Sequence, residues 1–264
     1  MKDDFKVIVT IGPSSENAQR IKRMSELGPC IFRINGAYVP VNKIKYYCDL
    51  IHSAAPDNKI LLDFPSDKEW FKKRDKRINT TFLVKKDISL IKKACHLNID
   101  YLGMSHVRDI NDIAKVKTII KDYGMGFPAL ISKIETVESV VNLNQILHEV
   151  NHILIDRGDL SREIGMNELP RQQEYILEEA RLHKIPAYLA TNFLKTMQSE
   201  FTPTIAEACD LYKTIASGVA GIQLSEETAI GMFPVRCVEY VFNLYKIYKR
   251  SQGVSWKPGQ NNNS

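Results

Sequence analysis

The 264-residue chain, 44% hydrophobic, is long enough to bury one large core, and its formal net charge of +5 suits an anionic ligand better than general nucleic-acid binding. No apolar run approaches the length of a membrane span, and the N-terminal MKDDFKVIVT reads directly into a strand. Five cysteines (Cys30, Cys48, Cys95, Cys209 and Cys237) lack CxxC or metal-finger spacing, so the expectation is a cytoplasmic protein with free thiols and neither a membrane nor a nucleic-acid partner.

Taken in chain order, short β-rich runs alternate with helical patterns. Strands are predicted at 6–10, 31–35, 60–63, 101–104, 129–134, 152–156, 187–190 and 221–224. Helices are predicted at 18–27, 43–53, 109–123, 137–147, 169–182, 205–216 and 235–248. Eight parallel β/α units give an α/β fold, a (β/α)8 TIM barrel, as a single domain over residues 1–250. The polar remainder, 251–264, reads as a disordered tail.

A barrel of this kind carries its site at the C-terminal ends of its strands. Side chains two apart on a strand share a face, so FRIN places Arg33 beside Asn35, and ISKIE places Lys133 beside Glu135. In DRGDL, Gly158 is expected to allow a tight turn that projects Asp159 just beyond the strand. Glu135 and Asp159 could then share a hard divalent cation, Mg2+ or Mn2+. His106, after the fourth strand, is a candidate whose plainer reading is a packed ring. Ser15 or Asn17 is expected to cap the first long helix, and Glu227 to serve as a cap or as support behind the site.

ISKIE followed by DRGDL closely resembles the catalytic barrel of pyruvate kinases. IVTIGPSS, FRIN, LATNFLKTM, TPTIAEACD and LSEETAIGMFP extend the resemblance in the same order, from Lys6 to about Tyr248. The resemblance implies that Arg33 binds the phosphate of phosphoenolpyruvate, and that Lys133 stabilises charge on the transferring phosphoryl group and the enolate. By the same resemblance Glu135 and Asp159 hold the metal, amides around Gly158 receive the substrate carboxylate, and Thr191 contacts substrate near the proton-transfer face. Ser105 and Arg108 match residues at the barrel mouth, Ser105 as a substrate-binding candidate. Asn35 and Asp63 match the monovalent-cation site. Lys68 stands where some family members carry a lysine in place of potassium, so K+ is expected to be dispensable.

The departures are as specific as the matches. Ala37 replaces a serine, Tyr38 a nucleotide-contacting histidine, Phe64 a threonine, His106 an aromatic residue, Asp156 a small apolar residue, Ser161 a glycine and Asn192 a glutamine. A lid domain of about a hundred residues follows the third strand in the family. Here only residues 68–87 intervene, with six basic residues between Lys68 and Arg77. The chain also ends where the family's C-terminal regulatory domain would begin, and a monomer or homodimer is expected in preference to a tetramer. The functional expectation is a divergent, magnesium-dependent pyruvate-kinase-like phosphotransferase acting on phosphoenolpyruvate or pyruvate. Its acceptor is ADP by family analogy, which makes a nucleotide a possible second small-molecule partner. Loss of nucleotide contacts keeps open a pyruvate-enolate lyase, decarboxylase or mutase, and a non-catalytic ligand-binding protein is the third reading.

Overall fold

The computed structural model describes residues 5–66, 82–123 and 126–252. Lys68, most of the basic segment and residues 253–264 lie outside them. Strand β1 (Lys6–Thr10) is followed by α1 (Ala18–Leu27), β2 (Cys30–Asn35), α2 (Ile44–Ala54), β3 (Lys59–Phe64) and α3 (Lys85–His96). The chain continues through β4 (Tyr101–Met104), α4 (Ile110–Tyr123), β5 (Ala129–Ile134), α5 (Val137–Val141), α6 (Leu143–Leu147) and β6 (His152–Asp156). It ends with α7 (Arg157–Ile164), α8 (Leu169–Leu182), β7 (Ala187–Ala190), α9 (Ile205–Ala216), β8 (Gly221–Leu224), α10 (Glu226–Ala229) and α11 (Pro234–Ser251). All eight strands pair in parallel, in sequence order, and β8 closes on β1.

Strict alternation along the strands builds two cores. Ile8, Ile31, Leu61, Ile131, Leu154 and Tyr188 point inward and fill the barrel, while Val7, Val9, Phe32, Ile34, Leu62 and Phe64 pack outward beneath the helices. The inward phase decides the chemistry. Two residues beyond Ile8, Ile31, Leu61, Ile131 and Leu154, on the same face, come Thr10, Arg33, Asp63, Lys133 and Asp156. The barrel therefore carries a polar layer on top of an apolar one. Small residues make room for it: a Cβ at Gly103 would lie 2.8 Å from Asp63 Oδ1.

Local chemistry explains most element ends. Asn17 caps α1 through its side-chain oxygen, which accepts from the amides of Gln19 and Arg20. Thr204 and Glu207 form a capping box at the start of α9. The helix predicted over 137–147 is instead two short helices parted at Asn142, whose amide nitrogen donates to the Arg108 carbonyl at 3.0 Å. Helix α3 completes the third β/α unit; its start is secured by Asp87, which accepts from the Val84 amide at 2.9 Å. Helix α11 runs on through Ser251, so the first residue of the expected tail is helical. Among the described residues, no helix is long and apolar enough to cross a membrane. Four of the five cysteines are buried and all are free.

At the N-terminal end of the barrel, the His152 ring sits edge-on to Tyr101 (centroids 5.4 Å apart) and 5.9 Å from Tyr188. Burial, with a smaller contribution from the Lys6 ammonium, lowers the imidazole pKa to about 4. The folded state thus favours the neutral ring, and the unfolded chain takes up the proton first as pH falls. Stability attributable to His152 is present above about pH 6.5 and is lost as pH drops toward 4. Because the ring is half-buried, we expect a loss of about 1–2 kcal/mol. Urea unfolding of wild type and His152→Phe between pH 7 and pH 4 checks this: the variant should show the shallower pH dependence.

Candidate active site

The site grows from one buried cation. Lys133, near the end of β5, is buried, and its Nζ lies 2.8 Å from Glu135 Oε2 and 3.1 Å from Asp156 Oδ2. Burial alone would drive the ammonium to lose its proton, but the carboxylates of Glu135, Asp156 and Asp63 outweigh it and raise the pKa. Lys133 is a fixed positive charge. Burial likewise opposes ionisation of Asp156, yet Lys133, the Thr191 hydroxyl and Arg33 together hold its pKa well below the usual carboxylate range. For Glu135 the balance falls the other way: complete burial raises its pKa against the pull of Lys133 and His106.

Each carboxylate is further anchored. Glu135 Oε1 accepts the His106 amide at 2.7 Å, while Oε2 meets Lys133 in an ionic contact without hydrogen-bond geometry. Asp156 Oδ1 accepts the Thr191 hydroxyl at 2.7 Å. On the facing wall, Arg33 directs Nε and Nη2 to Asp63 Oδ2 at 3.0 and 2.5 Å, and Nη1 to Thr10 Oγ1 at 3.1 Å. Ser105 Oγ lies 3.4 Å from Asp63 Oδ1.

The backbone at the mouth is strained. Ser66, His106, Thr191 and Asn192 have φ values of 55°, 54°, 83° and 59°, and for β-branched Thr191 such a value is costly. Arg157 holds the Thr191–Asn192 turn in place. Its Nη2 donates to the Thr191 carbonyl at 2.7 Å and its Nε to the Ala190 carbonyl at 3.3 Å, while Nη1 pairs with Asp210 at 2.9 Å. The same guanidinium lies 4.0 Å from the centre of the Phe193 ring.

The structure therefore brings Arg33, Asp63, Ser105, Lys133, Glu135, Gly158, Asp159 and Thr191 to one end of the barrel. Two placements differ from expectation. Gly158 lies in the first turn of α7, which Asp156 caps, and is not in a tight turn. Its lack of a side chain serves close approach, since a Cβ there would lie 2.8 Å from Thr191 Cγ2. Asn35 is engaged elsewhere: its side chain accepts the Ala37 amide at 3.0 Å, and the residue lines a cavity of about 530 Å³ with Tyr38, Lys43 and Glu226. Asp156 and Arg157 are the central residues to which sequence reasoning gave no role. A signal for Asp156 was present: it follows Leu154 by two residues, as Lys133 follows Ile131.

The donor set fits a divalent cation. Asp63, Glu135 and Asp156 together outnumber Arg33 and Lys133, and Glu135 Oε2 is buried with no hydrogen bond. His106, Glu135 and Asp159 each offer one ligand atom within 4.8 Å of the others. Behind the Thr191–Asn192 turn, a cavity of about 340 Å³ is lined by Gly158, Thr191 and Asn192 together with Arg157, Met166 and Asp210.

The family described as pyruvate kinase, barrel domain, matches residues 66–238. The chain belongs to the pyruvate kinase family. It is 34% identical over 173 residues to a pyruvate kinase of Thermococcus litoralis, covering 64% of this chain and 36% of that protein. It is 33% identical over 173 residues to one of Methanocaldococcus jannaschii, covering 66% and 38%. A pyruvate kinase of Geobacillus stearothermophilus is 31% identical over 163 residues, covering 62% and 28%. The chain spans about a third of the length of these pyruvate kinases. Lys133, Glu135, Asp159 and Thr191 fall inside the matched barrel-domain interval, whereas Arg33, Asn35 and Asp63 precede it.

Asp156→Ala removes one of the two carboxylates in ionic contact with a buried ammonium and should destabilise the protein by about 3 kcal/mol. Asp156→Asn, which keeps the shape and the bond to Thr191, should lose less. Urea unfolding of both at pH 7 tests the ordering.

Proposed function

We propose that this chain is a divergent pyruvate-kinase-like enzyme, dependent on Mg2+ or Mn2+, that acts on phosphoenolpyruvate or pyruvate and moves a phosphoryl group to or from an acceptor. The observation that carries this reading is the permanently charged Lys133, held at the barrel mouth within reach of Glu135 and Asp156. A fixed ammonium in a water-poor site stabilises negative charge where it develops, at no cost of reorganisation. Glu135 and Asp159 would hold the metal, which when bound supplies Lewis-acid stabilisation to phosphoryl and enolate oxygens.

Other residues divide the remaining work. Arg33, oriented by Asp63 and Thr10, presents a guanidinium suited to a phosphate. Amides at the start of α7, around Gly158, suit a carboxylate. Thr191 donates its hydroxyl proton to Asp156, and by family resemblance it would lie near the face on which an enolate is protonated. ADP as acceptor rests on family analogy, and the residues 65–84 between β3 and α3 are too few for a lid domain of family size. Dispensability of K+, with Lys68 in its place, rests on sequence resemblance. A cytoplasmic monomer or homodimer is the assembly we propose.

A second reading is favoured by one observation. Asp156 places an additional carboxylate beside Lys133, and the Arg33 fork is engaged on Asp63, an arrangement that suits enolate stabilisation without phosphoryl transfer. Proton exchange at the methyl group of pyruvate in deuterated water, followed by NMR with Mg2+, separates the two. Exchange that needs ATP or phosphate supports the kinase-like reading, and exchange without either supports the lyase. No exchange under any condition would overturn both. Lys133→Ala should slow exchange by about 10²–10³-fold, and an undiminished rate would remove Lys133 from the mechanism.

A further inference from the structure

We propose that His106 Nε2 is a third protein ligand of the divalent cation, and that this nitrogen turns the preference of the site from Mg2+ toward a transition metal such as Mn2+ or Co2+. The inference rests on the reading of Glu135 and Asp159 as metal ligands and adds a residue that the resemblance does not supply, since an aromatic side chain is usual at that position.

Three observations carry it. The His106 ring is buried, and its Nε2 lies 3.6 Å from Glu135 Oε1, on the Glu135–Asp159 side of the pocket. Its Nδ1 lies 3.1 Å from the Pro65 carbonyl, a contact that requires the proton on Nδ1 and so leaves the lone pair of the neutral ring on Nε2. This is the arrangement that metal-binding histidines use to fix their tautomer and orientation. Finally, the His106 backbone is held at φ 54°, while its amide donates to the very carboxylate that would share the ion. One strained residue thus serves Glu135 through its amide and faces the same side with its ring.

The chemical consequence follows from ligand type. Mg2+ prefers an all-oxygen shell and binds imidazole poorly, whereas Mn2+, Fe2+ and Co2+ accept imidazole nitrogen readily. Two carboxylates and one imidazole form a mixed set that leaves coordination positions open to substrate oxygens.

The test is electron spin-echo spectroscopy of Mn2+ added to the full chain, with His106→Asn as the comparison. Asparagine tolerates the left-handed backbone better than most residues, so this variant preserves the turn. We expect modulation from a directly bound ¹⁴N nucleus in the wild type and its loss in His106→Asn. Competition of Co2+ against Mg2+ should show the Co2+ preference falling by about tenfold in the variant. Mn2+ bound to the wild type without ¹⁴N modulation would overturn the proposal and leave the Glu135–Asp159 reading standing; this outcome needs no variant to fold. If Mn2+ fails to bind the wild type, or binds Glu135→Gln as tightly, both readings fall together.

Discussion

An ammonium group buried in a barrel must be surrounded by enough negative charge to stay there, and much of the mouth of this protein follows from that demand. Lys133 is stabilised by Glu135 and Asp156. Asp156 is in turn fixed by the Thr191 hydroxyl, and Thr191 occupies a strained conformation that Arg157 holds through two backbone carbonyls and the Asp210 carboxylate. Buried ion pairs contribute little net stability, because desolvation of both partners offsets their attraction. A network of this cost is more economically explained by charge placed for chemistry than by a contribution to folding.

The barrel supplies the positions. Parallel strands bring residues from distant parts of the chain to the same end of the barrel, so Thr10, Arg33, Asp63, Lys133 and Asp156 follow the apolar plug residues Ile8, Ile31, Leu61, Ile131 and Leu154 on the inner face. The helices and connecting segments at that end add the groups a strand cannot carry: amides at the start of α7, the His106 ring, and the hydroxyl of Thr191. Four left-handed non-glycine residues gather there as well, which is where strain is most useful in holding side chains at fixed angles. Against the pyruvate kinase pattern, the two departures nearest the centre, Asp156 and His106, both touch residues that are retained. They alter the charge and the side-chain chemistry of the site without dismantling it.

Sequence alone reached far into this protein because two of its periodicities are governed locally. Alternation in the strands and amphipathic repeats in the helices fix the eight β/α units, and the same two-residue step puts Lys133 beside Glu135 on the inner face. The cap at Asn17 depends on neighbours within three residues, so it too was legible as one of two candidates. What tertiary structure alone decided were the contacts between strands and loops. Asp156 was visible as an unusual residue, but that it pairs with Lys133 depends on the neighbouring positions of β5 and β6. For His106 the packed ring is the plainer reading until the fold sets it beside Glu135, and for Gly158 the tight turn is replaced by nearness to Thr191 as the reason for lacking a side chain. Local periodicity determines which face a side chain points to; which charge it meets there is decided by barrel closure, because the partner lies tens of residues away in the chain.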